Sequence, residues 1–192
     1  FQRSSQPDSA AAHIDASSRF LWRFPPRRLE AEAIRDGMLS VAGTLDRKMG
    51  GQGFHLFDVD RENVVHYHAK DETGPAEWRR MIYLFKIRQE QDAVFGSFDC
   101  PDGNQVIPTR SRSTTPLQAL NLFNSRFTMQ QAQKLAERLG AHGDRVPQTY
   151  ELLYNRPATS DEIRDAEKFI EDHNFLAFCR AMLNTSEFIF IF

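Results

Sequence analysis

Between residues 27 and 49, apolar side chains recur at three- and four-residue spacing, and no other feature constrains the fold as strongly. Leu29, Ala33, Ile34, Met38, Val41, Ala42 and Leu45 form one stripe of an amphipathic helix that needs a partner surface. Pro25 and Pro26 stand just before it, where proline forbids a preceding helix and suits the opening of the next. Gly50 and Gly51 follow, and the expected left-handed stop falls there. Glu30, Glu32 and Asp36 share this segment with Arg28 and Arg35, a pattern whose default reading is a solvated ion-pair face.

Helical patterns return in the second half. Thr115 is a good N-cap and Pro116 a good first helical residue, with Gln118 read as one position short of the capping-box slot. LQALNLFN leads into FTMQQAQKLAERLG, closed by Gly140, and 141–147 reads as a polar connector. QTYELLYN is a short helix ended by Arg156-Pro157, and Thr159 or Ser160 caps DEIRDAEKFIEDH. The final FLAFCRAMLNTSEFIFIF reads as helix, then extended apolar tail. The stretch 52–74 differs: FHLFDVD and NVVHYH alternate and carry β-branched and aromatic residues, with Asp60, Glu62 and Asn63 in the turn between them. Extended structure is also expected over 81–87, while 1–19 reads as an irregular lead-in. The fold class is therefore mainly α: one helical bundle-like domain over 1–192 with a small β or extended insert at roughly 52–90.

Composition narrows the function classes. A net charge of −2 supplies no global field to draw nucleic acid. No apolar run reaches the ~20 residues a membrane span requires. The chain opens on Phe1 and reads as a fragment of a larger protein. Cys100 and Cys179 form neither a CxxC nor a CxxCH motif; two separate buried thiols are favoured over one disulfide.

Three constellations could carry chemistry. His66 and His68, alternate residues on an expected strand, share a face and could reach one metal ion, with His55 and Asp58 nearby in sequence; a polar edge strand is the default reading. Asp99 and Asp102 lie in the FDCPDG loop, where they could bind Ca²⁺, accept turn amides or pair with an arginine. Arg110 and Arg112 precede Ser113, Thr114 and Thr115 at a helix start, a pattern that suits an anion site but that capping alone explains. No nucleophile elbow, P-loop or dinucleotide fingerprint is present.

LWRFPPRRLEAEAIRDGMLSVAGTLDRKMGG, the FD-x-PDG loop, RSRSTTPLQALNLFN, YELLYNRPATSDE and FCRAMLNTSEFIFI occur in this order. Together they resemble the C-terminal domain of unknown function of large planctomycete-type multidomain proteins that also carry a cytochrome c-like module. The likeness covers nearly the whole chain, and RRLEAEAIRD, RSRSTTPLQALN and RAMLNTSEF are its most specific parts. It implies an exported protein, periplasmic or extracellular, often discussed alongside sulfatases and polysaccharide breakdown. Haem is implied only for the missing cytochrome module; no cofactor is assigned to this chain, and no catalytic residue can be carried over. The expected role is accessory: scaffolding the parent's other modules, or binding a partner or glycan. The competing expectation is a hydrolase of a polysaccharide or sulfated sugar, with Arg110 and Arg112 on an anionic group and Asp99 or Asp102 as acid or base. A glycosidase needs two carboxyls about 5 to 10 Å apart across a cleft.

Overall fold

The computed structural model describes residues 3–61, 63–88, 90, 92, 94–101, 103–140 and 143–192. The protein is mainly α with a small β insert. Its elements run α1 (Ser9–Ile14), β1 (Arg27–Arg28), α2 (Ala31–Ala42), β2 (Phe57–Arg61), β3 (Val65–Ala69), α3 (Pro116–Asn124), α4 (Arg126–Leu139), α5 (Arg145–Tyr154), α6 (Ser160–Asp172), α7 (Phe175–Met182), α8 (Ser186–Ile189) and β4 (Phe190–Ile191).

Helix α4 is the hub, packing against both α2 and α7. Ile34 and Met38 of α2 meet Leu122, Ala132 and Leu135 in the main core, with Cys179, Leu183 and Phe188 arriving from the C-terminal end. A smaller cluster of Val146, Tyr150, Ala166, Phe178 and Met182 lies among α5, α6 and α7. Leu153, Tyr154 and Phe175 pack against both clusters and join them.

The hairpin has the expected antiparallel form, but Asp60 belongs to its first strand, opposite His66. Because side chains alternate, Phe57 and Ala69 share one face, while Asp58, Asp60, His66 and His68 share the other.

Several local expectations need correction. Helix α2 ends at Gly43, not at Gly50–Gly51: Gly43 has φ 76°, and the amides of Thr44 and Leu45 both turn back to the Leu39 carbonyl. The stripe does continue to Leu45 in sequence, but a Cβ at residue 43 would lie 3.2 Å from Arg138 Cδ of α4. That close approach and the left-handed turn suit glycine there. The prolines open a strand before the helix: Arg27 and Arg28 pair with Ile191 and Phe190. The expected extended tail is that strand's partner. The lead-in contains one short helix, α1, capped by Asp8. Met81–Tyr83 is a 3₁₀ turn rather than extended chain, and only Leu84 bridges to Phe54. Helix α5 starts at Arg145 and takes Pro147 into its first turn, where a missing N–H costs nothing. Gln118 does occupy the capping-box slot after Thr115. Both cysteines are buried free thiols.

Candidate functional site

The 3₁₀ turn Phe95–Phe98 ends on Asp99, whose φ of 58° is a left-handed conformation that aspartate tolerates better than most residues. This turn aims the carboxylate at three donors. Arg28 Nη2 donates at 2.7 Å, the Ser113 amide at 2.7 Å and Ser113 Oγ at 3.0 Å. Gln118 closes the same knot, donating to Ser113 Oγ at 2.8 Å and to the Ser97 carbonyl at 3.0 Å, while its Oε1 accepts from the Thr115 amide. Arg28 is buried, lies over the Phe98 ring and has no partner for Nε or Nη1 among the described residues. Burial pushes its pKa down and Asp99 pulls the other way, so removing that carboxylate would strand the charge.

Arg110 takes different partners. It donates to Glu32 at 2.7 Å and to Glu30 at 3.2 Å, tying its loop to the start of α2. Burial is the largest single influence and opposes the Glu32 charge, but the Arg110 hydrogen bond, a backbone amide and the charges of Arg110 and Lys86 together hold this carboxyl below its ordinary value. Behind it, Lys86 Nζ donates to Cys100 Sγ at 3.0 Å, and burial keeps that thiol's pKa raised. Arg112 and Thr114 are exposed, and Arg112 makes no ion pair among the described residues. Thr115 caps α3. Asp102 lies outside the described residues.

The proposed anion site is thus split in two. Asp99, Ser113 and Thr115 form one network through Gln118, and Arg110 belongs to another. Each of Asp99 and Arg110 is occupied by an internal partner, so the arrangement acts as a pair of cross-links. The partners that sequence reasoning missed are Arg28, Glu30 and Glu32, placed there as a solvated face. Arg28 and Arg35 are in fact buried. The signal for Arg35 was available: the buried positions 31, 34, 35, 38, 39 and 42 follow helical spacing through it.

His66 and His68 sit exposed on β3, with Asp60 and Asp58 opposite. His55 packs instead against the Phe85 ring, 4.7 Å between centroids. No group of three or more His, Cys, Asp or Glu among the described residues is arranged to hold a metal ion.

A cleft of about 550 Å³ opens between the Phe57/Ala69 face of the hairpin, residues 70–73 and the first turn of α4, with Arg35, Phe95 and Phe127 in its walls.

No helix among the described residues is long and apolar enough to cross a membrane. No curated protein and no solved structure matches the chain. One family model does, over residues 1–170, and its description is PSD1, protein of unknown function (DUF1553). With most of its length matched, and with the cross-linked loop and α2 both inside the matched region, the chain belongs to this DUF1553 family.

Proposed function

We propose that the domain is an accessory module of a larger, exported, cytochrome-associated protein, docking against that parent's other modules. One observation carries this reading. Arg110 and Ser113 of the RSRSTT segment are taken up by internal cross-links, while apolar residues beside them stand in water. Leu117 and Leu120 of α3 are 56% and 58% exposed, and Val106 in the preceding loop is 93% exposed. Such a surface gains from contact with another apolar surface. Haem belongs to the cytochrome module of the parent, and the periplasmic or extracellular location follows from the same likeness. A polysaccharide is the second candidate partner in this accessory role. A hydrolase built on Arg110 and Asp99 is not favoured, since both are engaged by internal partners.

The test is calorimetric titration of the purified domain with the purified remainder of the parent. Leu117→Ser with Leu120→Ser should leave stability within about 0.5 kcal/mol, as expected of exposed positions. It should weaken association by about tenfold or more, the scale of losing two interface leucines. An affinity unchanged in the double variant, or no association of the unaltered domain, would sink the reading.

A further inference from the structure

Ile14, Phe20 and Leu21 stand in water, at 82%, 80% and 72% exposure. The turn that follows α1 gathers them into one tip. The Asp15 carboxylate accepts from the Phe20 amide at 2.7 Å, and the Leu21 amide donates to the Ser18 carbonyl at 3.0 Å. Trp22 supports the turn, half-buried, its Nε1 donating to the Asp15 carbonyl at 2.8 Å. Leu21 has φ 56°, a left-handed conformation that is costly for any side chain other than a short polar one. Burial does not offset that cost, since this leucine lies mostly in water. An outlier of this kind points to a role outside the fold.

The surroundings of the tip are cationic, although the whole chain carries −2. Residues 3–28 hold five arginines against two aspartates, so the local excess is positive. Arg28 is taken by Asp99, and both aspartates are spent on local amides, Asp8 at Ala11 and Asp15 at Phe20. Arg3, Arg19, Arg23 and Arg27 form no ion pair among the described residues. Arg19 is exposed beside Phe20 in the chain, and Arg23 lies over the Trp22 ring at 5.0 Å. Arg27 lies over Phe24, whose amide donates to the Ser4 carbonyl and so brings Arg3 alongside. We propose that this tip seats the domain on an anionic phospholipid membrane. Phe20, Leu21 and Ile14 enter the acyl boundary while the arginines meet lipid phosphates. The three apolar residues follow neither a helix nor a strand period, as the anchors of a peptide filling a protein groove do.

Asparagine tolerates the left-handed region, so Leu21→Asn combined with Phe20→Ser separates binding from folding. The assay is cosedimentation of the 192-residue chain with phosphatidylcholine vesicles, with and without phosphatidylglycerol. We expect binding at least about tenfold tighter when phosphatidylglycerol is present, and weaker as salt screens the arginines. The double variant should bind at least about tenfold more weakly, at an unchanged or raised melting temperature. Equal binding to the two kinds of vesicle would show that the arginines are not used. Undiminished binding of the double variant would show that the apolar tip is not used. No binding of the unaltered chain to either vesicle would leave a protein groove as the tip's occupant. Any of these three results overturns the proposal.

Discussion

At Asp99 a single side chain does three jobs: it neutralises buried Arg28, anchors Ser113 and turns the chain at positive φ. Breaking a buried pair from one side leaves an uncompensated charge, so Asp99→Ala should lower unfolding free energy by about 3 kcal/mol. Asp99→Asn should cost less, because asparagine tolerates the left-handed turn and still accepts from Ser113. Urea titration of the two variants would check this, and a loss under about 1 kcal/mol for the alanine would mean Arg28 does not depend on Asp99. A second residue-scale prediction concerns Glu162. It accepts two hydrogen bonds from Arg156 and one from the Thr159 amide. The Arg156 bonds above all lower its pKa from 4.5 to about 2. A depressed carboxyl stabilises the fold fully above its unfolded value of 4.5, and that stabilisation is lost as pH falls towards 2. The side chains of Arg156 and Glu162 remain 34% and 29% exposed, so solvent screening limits the gain. Glu162→Gln should cost about 1 kcal/mol at neutral pH. Stability curves of the two proteins should converge as pH drops from 4.5 to 2, and parallel curves would refute the assignment.

At the scale of elements, two helices start with the same device in different surroundings. On α6 the Thr159/Glu162 box is at the surface. On α3 the box residue Gln118 is buried and also reaches Ser97 and Ser113. Thr159→Ala should therefore cost about 1 kcal/mol, the ordinary value of a cap. Gln118→Ala should cost about 2 kcal/mol or more, because it also leaves buried groups unpaired. Chemical denaturation of both variants decides it; equal losses would mean Gln118 does no more than cap. These starts were largely legible in sequence, since a cap and its N3 partner lie within one turn of each other. The stop of α2 was not. Three glycines were available in succession, and Gly43 is the one closely approached by an α4 side chain, whereas a Cβ on Gly50 or Gly51 would meet nothing within 4 Å.

Over the whole molecule, the strand pair β1–β4 joins the start of the helical body to its end, and α4 contacts both α2 and α7. Cys179 lies in this shared core, fully buried, with burial raising its pKa to about 12. Its reaction with a thiol reagent should therefore track global unfolding, while Cys100, 8% exposed beside Lys86, should react first. Labelling rates across a urea series would check this. Fast Cys179 labelling in native buffer would indicate that the C-terminal helices open separately from the rest.

The sequence alone determined what short-range chemistry specifies. The α2 stripe, the caps at Thr115 and Thr159 and the alternating hairpin each depend on residues within a few positions of one another. The tertiary structure decided which partners Arg28, Asp99 and Arg110 take. Arg28 meets Asp99 across 71 residues and Arg110 meets Glu32 across 78, and no local period relates positions so distant. A guanidinium fork followed by hydroxyls suits an anion site, although capping alone explains it. Only the packing of the 3₁₀ turn against both α2 and α3, and of the Arg110 loop against the start of α2, brought these arginines and carboxylates together.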